Sequence, residues 1–289
     1  MDLLNRNFRA FDLLSRNINI TGIMNPFIAE YDINVQLGQV KEDLTSKAKK
    51  YDHNLYKHVA LVTQGGKPVG YLNPIEILNS HSLNDNQSLE QCVKDIPLMR
   101  LNDFNSLVEF ADFVGWDDPP AKYFVFKEDE CIGWLTYSDI NKSFMHISLF
   151  ALILELEENM LRALRVFPRA FDLLDEKRRQ NAGKICKTLM REKNMVGPPS
   201  YQDLLEGTTL FDRFNMIKWH PVISTYCSDV LKDDYSNLLE TIRNKIAHAG
   251  LNSNLAKHIP RKDLFPLIGW AITLSGQLEK FSGDKSIYQ

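Results

Sequence analysis

The chain has 289 residues, of which 44% are hydrophobic, 25% charged and 10% aromatic. That composition suits about two globular domains and excludes a collagen, a mucin stalk or a mostly disordered chain. Thirty-four Lys and Arg against thirty-seven Asp and Glu leave a net charge of −3, so any nucleic-acid contact has to be local. Residues 1–145 hold 14 basic and 20 acidic side chains and residues 146–289 hold 20 and 17. The C-terminal half is the one suited to meet phosphate.

Cys92, Cys131, Cys186 and Cys227 have no zinc-ribbon or redox spacing and read as reduced structural thiols. No basic start leads into a long apolar run, and no segment approaches the ~20 apolar residues of a membrane helix. A soluble cytoplasmic protein with no membrane contact is expected.

Met1–Ser15 reads as an amphipathic packing helix, with Leu4, Phe8, Phe11 and Leu14 at helical spacing. From residue 17 to 145 short strands alternate with helices. The run His58–Leu72 is an apolar strand, a Gly-Gly turn and a second strand, and Tyr123–Leu135 repeats that plan. A short helix follows each hairpin, at Pro74–Leu78 and Ser138–Phe144, and a helical stretch precedes each, at Leu37–Tyr51 and Asn105–Val114. Gly70 and Gly133 set the repeat at 63 residues.

From residue 146 strand signals vanish. Helices are expected over Ile147–Val166, Arg169–Lys193, Leu210–Ile217, Asp229–Ala249 and Leu264–Phe281, with Ser200 and Asp203 starting another and Gly250 as a stop. The basic run Lys177–Lys193 reads first as a solvated helix face, with RNA-backbone binding as the alternative. His53, His58, His81, His146, His220 and His258 are scattered and read as packing or surface residues. Trp116, Trp134, Trp219 and Trp270 read as core or interface aromatics.

In Gly133-Trp-Leu-Thr136-Tyr-Ser-Asp139 a strand leads into a helix start, with a hydroxyl at the turn and a carboxylate three residues later. Such a carboxylate can accept from both hydroxyls of a ribose while the helix N-terminus favours phosphate. The same spacing also suits a ligand-free capping box. The tandem plan closing on Gly133, Thr136 and Asp139, with Ile23-Met24-Asn25-Pro26 leading in, resembles a CBS-domain pair, or Bateman module. The resemblance implies an adenine or related nucleotide as a regulatory ligand at Gly133, Thr136 and Asp139. The first copy has Asn73 and Glu76 where Thr and Asp stand in the second, and Pro74 removes an N–H donor. One nucleotide site per chain is therefore expected.

In Leu239-Glu-Thr-Ile-Arg243-Asn244-Lys-Ile-Ala-His248, Asn244 and His248 lie one turn apart on one helix face with Arg243 at its edge. Ile242 and Ile246 form the buried stripe. An imidazole beside a guanidinium suits phosphodiester cleavage: His248 exchanges protons with the 2′-OH or the 5′-oxygen, and Arg243 stabilises phosphoryl charge. Asn244 orients His248 or holds phosphate. Arg243 capping carbonyls or pairing with Glu240 is the competing structural reading. The motif near the end of an all-helical segment resembles the HEPN superfamily, which implies a metal-independent endoribonuclease that works as a homodimer with one composite cleft. The resemblance then assigns catalysis to Arg243, Asn244 and His248, with no cofactor. Gly250 stands where some relatives carry a Tyr.

The expected architecture is multidomain: an N-terminal helix over 1–16, an α/β tandem CBS pair over 17–145, and an all-α HEPN-like bundle over 146–289. The expected function is a nucleotide-regulated ribonuclease in stress response or phage defence. A non-catalytic, nucleotide-responsive dimerisation or adaptor protein is the alternative.

Overall fold

The computed structural model describes residues 19–50, 58–80, 84–97, 100–102, 110, 122–167, 169–249 and 254–284. The expected helix over 1–16, most of the one over Asn105–Val114, and His53, His81, Trp116 and Gly250 lie outside them. The described residues form two compact units, one over residues 19–110 and 122–139 and one from Ile140 onward.

The first unit is a repeat. Strand β1 (Ala29–Asp32), helix α1 (Leu37–Lys50), strands β2 (Ala60–Gln64) and β3 (Lys67–Leu72) and helix α2 (Pro74–Asn79) make the first copy. Strands β4 (Arg100–Asn102), β5 (Tyr123–Lys127) and β6 (Glu130–Leu135) recur in the second. Each sheet has a parallel outer pair and an antiparallel hairpin, ordered β1-β2-β3 and β4-β5-β6. Both hairpins slip register at a bulge, between Val62 and Thr63 and between Val125 and Phe126. The central strands β2 and β5 bury four successive residues each, the signature of a strand covered on both faces. α1 is amphipathic, with Leu37, Val40, Leu44 and Ala48 inward, and Asn73 caps α2 ahead of Pro74 at its first position.

The two copies exchange their lead-in segments. One-turn 3₁₀ helices at Ile20–Gly22 and Leu89–Gln91, capped by Asn19 and Ser88, precede β1 and β4. After the first, Asn25 pairs with Trp134 of the second copy through backbone bonds of 2.8 and 3.0 Å. After the second, Lys94 pairs with Tyr71 of the first copy through two bonds of 2.9 Å. Both sheets contribute to one aromatic core, where Val59, Leu61, Phe124, Phe126 and Trp134 are buried and Tyr71 meets Phe124 at 5.0 Å between centroids.

The crossings demand glycine. A Cβ on Gly70 would stand 2.7 Å from the Lys94 carbonyl oxygen and collide with Val93, and one on Gly133 would stand 2.9 Å from the Asn25 carbonyl oxygen. Neither backbone oxygen can move without breaking its pair. We expect Gly70→Ala to cost about 1–3 kcal/mol, measured as a lowered urea midpoint; an unchanged midpoint would mean that Lys94 is not held against the sheet.

The second unit is helical: α3 (Ser143–Arg165), α4 (Glu176–Glu192), α5 (Tyr201–Glu206), α6 (Leu210–Trp219), α7 (Pro221–Tyr226), α8 (Ser236–Ala249) and α9 (Arg261–Gly283). Several expected boundaries change. Ser138–Phe144 is no separate helix: a 3₁₀ segment over Tyr137–Asn141 passes almost directly into α3, which starts at Ser143 and runs unbroken across the expected 145/146 junction. Arg169–Lys193 divides at Asp175, whose side chain caps α4 through the Arg178 N–H. Asp229–Ala249 divides into a 3₁₀ turn at Val230–Lys232 and α8. Pro221 stops α6 and opens α7, because a missing N–H is harmless at the first helical position. Ser200 and Asp203 do form a capping box. Asn159 on α3 donates to the Ser275 hydroxyl on α9 at 2.8 Å inside the core. Among the described residues no helix is long and apolar enough to cross a membrane.

Candidate functional site

Two places in the fold bring the candidate residues together, one in each unit. In the first, β6 delivers Gly133, Thr136 and Asp139 to the turn after the hairpin. Asp139 is buried, and its carboxylate is crowded with donors. It accepts from the Thr136 backbone N–H at 2.6 Å and from the Thr136 hydroxyl at 3.1 Å. The Asn25 side-chain amide approaches both oxygens, at 3.0 and 3.1 Å. The carboxylate thus closes one half of a capping arrangement, and the Thr136 hydroxyl turns to Asp139 and to Ser138 at 2.7 Å instead of to a backbone N–H. Gly133 is buried beneath Met24 and Asn25. Its close approach serves the lead-in crossing. Thr136 is partly exposed and Ser138 exposed, leaving hydroxyls at the surface.

The first copy answers position for position. Asn73 donates to Glu76 at 3.0 Å, and Glu76 is held by Lys94 at 2.6 Å. Lys94 occupies the place in the first copy that Asn25 occupies in the second. An acid after the hairpin is thus tied, in both copies, to the lead-in that crosses its sheet. Glu76 takes a charged partner because it is exposed, where ammonium stays hydrated; buried Asp139 takes a neutral amide. Sequence reasoning noted Asn25 only as part of a motif and missed its bond to Asp139.

In the helical unit, α8 carries Arg243, Asn244 and His248. Leu239, Ile242 and Ile246 are buried on its inner stripe. Asn244 and His248 are exposed, one turn apart, and Arg243 lies 40% exposed at the edge of their face. The guanidinium donates to the Asn244 side-chain oxygen at 3.3 Å. Its Nε stands 3.5 Å from Oε1 of Glu157 on α3. The pairing with Glu240 offered by the competing structural reading is not formed; the acid that meets Arg243 is the distant Glu157.

Glu157 is the residue that sequence reasoning missed. It is 12% exposed, and its other oxygen meets the guanidinium of Arg213 on α6 at 3.3 Å. Arg213 is 9% exposed and also donates to the Thr208 hydroxyl and the Glu206 carbonyl, at 3.2 and 3.3 Å. Burial pushes the Arg213 guanidinium below its ordinary value; Glu157 opposes that shift and Arg243 adds to it. One carboxylate therefore sits between two guanidiniums, one buried and one facing solvent. No local signal singled it out: Glu155, Glu157 and Glu158 stand together in the same stretch of α3. We expect Glu157→Gln to leave Arg213 without a counter-charge at a cost of about 3–5 kcal/mol, read as a lower urea midpoint. A shift below 0.5 kcal/mol would mean the pair is not formed.

No protein-family model matches this chain, and no curated protein matches it. Among solved structures, the CBS domain of the bacterial CNNM/CorC family Mg2+ transporter in complex with ATP is similar over 45% of this chain and 89% of that one, at 14% identity and a TM-score of 0.33. A second structure of that CBS domain has the same identity and TM-score, and covers 45% of this chain and 77% of that one. Protein MJ1004 from Mathanocaldococcus jannaschii is similar over 70% of this chain and 89% of that one, at 12% identity and a TM-score of 0.34. At these TM-scores the similarities transfer neither fold nor function.

Proposed function

We propose that this chain is a metal-independent endoribonuclease of the HEPN type, acting as a homodimer under the control of a nucleotide bound by a CBS-like pair. The observation that carries the proposal is the presentation of α8: Asn244 and His248 share a solvent-exposed face, and Arg243 reaches that face while Glu157 fixes it from behind. A substrate phosphate there meets one guanidinium, one amide and one imidazole.

The chemistry follows from those groups. His248 takes the proton from a ribose 2′-OH, whose oxygen attacks phosphorus and displaces the 5′-oxygen. The leaving oxygen takes a proton from the second imidazole of the dimer, leaving a 2′,3′-cyclic phosphate and a 5′-OH. Arg243 stabilises the charge that builds on the non-bridging oxygens, and Asn244 holds phosphate or imidazole in register. Glu157 behind it, 3.5 Å from Nε, holds the guanidinium by charge alone and reduces the reorganisation needed when charge develops.

The nucleotide reading rests on the hydroxyls of Thr136 and Ser138 and on Asp139. A ribose hydroxyl on the carboxylate competes with the Asn25 amide, which approaches both oxygens, while the Thr136 N–H and hydroxyl already crowd one of them. Ligand would therefore be felt first by the lead-in segment. That exchange is a physical route for an effector to shift one conformation against another.

RNA incubated in EDTA tests the enzyme. We expect His248→Ala to lower cleavage 10²–10⁴-fold and Arg243→Ala to lower it about 10²–10³-fold. Equal residual cutting by wild type and both variants would mark contamination and favour the adaptor reading. Calorimetry with AMP and ATP tests the regulator: saturable heat lost in Thr136→Ala supports the site, and no heat at millimolar nucleotide removes it.

A further inference from the structure

Helix α4 carries a charge pattern that the proposed cleavage chemistry does not use. From Lys177 to Arg191 there are fifteen residues with six Lys or Arg and no Asp or Glu. Ala182, Cys186 and Met190 are the buried positions. At 100° per residue, Lys177, Lys184, Lys187 and Arg191 fall within an arc of about 80° on the opposite side. All four are exposed, and among the described residues none is in an ion pair. They span about 21 Å of helix axis at 1.5 Å per residue.

The pattern contrasts with α3 and with Lys41 and Lys47 of α1, where cations find acids. Arg162 and Arg165 on α3 share Glu158, and on α1 Lys47 pairs with Asp43 while Lys41 pairs with Asp85. What sets α4 apart is that four cations line up on one helix face. Four like charges there repel one another; the phosphates of a polyanion neutralise them, and release of its condensed counterions drives the binding further.

Beside the stripe lies a cleft of about 460 Å³ lined by Lys177, Arg178, Asn181, Ile185 and Asp212. Within it Arg178 is half-buried and neutralised, paired with Asp212 at 2.6 Å and with Asp175 at 3.4 Å, both of which line the cleft, and stacked on Phe211 at 4.8 Å from the ring centroid. Asn181 and the 43%-exposed Ile185 remain at its mouth, an amide and an apolar surface next to the cations. A single strand can turn a base into such a cleft; a duplex keeps its bases stacked.

We infer that the α4 stripe binds the phosphate backbone of single-stranded RNA, with an unstacked base entering the adjoining cleft. The choice of RNA over other polyanions rests on the ribonuclease reading; the stripe itself stands on geometry alone. The test uses the full chain carrying His248→Ala, so that RNA stays intact, and an unstructured labelled 20-nucleotide RNA between 50 and 200 mM salt. Replacing Lys177, Lys184, Lys187 and Arg191 with Gln keeps good helix formers at every position. We expect the slope of log affinity against log salt to shrink by about 2–3, near 0.7 per lost contact, and the affinity at 50 mM to fall at least tenfold. An unchanged slope in a variant that keeps its helical circular dichroism overturns the inference, as does duplex RNA competing as well as single strand. Binding through the stripe without cleavage by wild type would remove the nuclease and leave this interface standing. Cleavage that ignores the four substitutions would do the reverse.

Discussion

A carboxylate placed between two guanidiniums governs the helical unit. Glu157 meets Arg213 with one oxygen and Arg243 with the other. Burial makes the Arg213 charge costly and Glu157 opposes that cost, while further donors of the guanidinium go to Thr208 and Glu206. The ion pair joins α3, α6 and α8 at one point. The buried stripe of Leu239, Ile242 and Ile246 turns Asn244 and His248 outward, and at the edge of that face Arg243 stands 3.5 Å from Glu157. Every chemical reading of Asn244 and His248 depends on that orientation.

The sequence made some of this legible. The 63-residue hairpin repeat appears in β2–β3 and β5–β6, because apolar strand runs and turn residues are local signals, and the shared bulge is added by the structure. The exposed and buried stripes of α8 follow from helical periodicity alone. Boundaries at the ends of helices were less legible. Pro221 reads equally well as a stop or a start, and the structure uses it as both; Asp175 is one acid among many until its side chain is seen to cap α4. Partners distant in sequence were not legible at all. Nothing near Asp139 names Asn25, and nothing near Arg243 names Glu157.

The two acids after the hairpins show how a duplicated plan diverges without losing its logic. Glu76 and Asp139 each bind the lead-in that crosses their sheet, one through an exposed ammonium and the other through a buried amide. The exposed pair is worth little by itself in water. The buried one is neutral on the donor side and avoids the desolvation of a second charge. The same architecture therefore holds a tight junction and a loose one, and the tight one coincides with the hydroxyl-bearing turn at Thr136 and Ser138.

The exchanged lead-ins also set a schedule for the nascent chain. The indole of Trp134 donates to the carbonyl of Pro26 across 108 residues, so the N-terminal copy leaves the ribosome with its partner strand still untranslated. At bacterial or eukaryotic elongation speeds of 5–20 residues per second, that wait lasts about 5–20 s. During it the edge that Trp134 will cover is open, and maturation of the first half is tied to the arrival of the second.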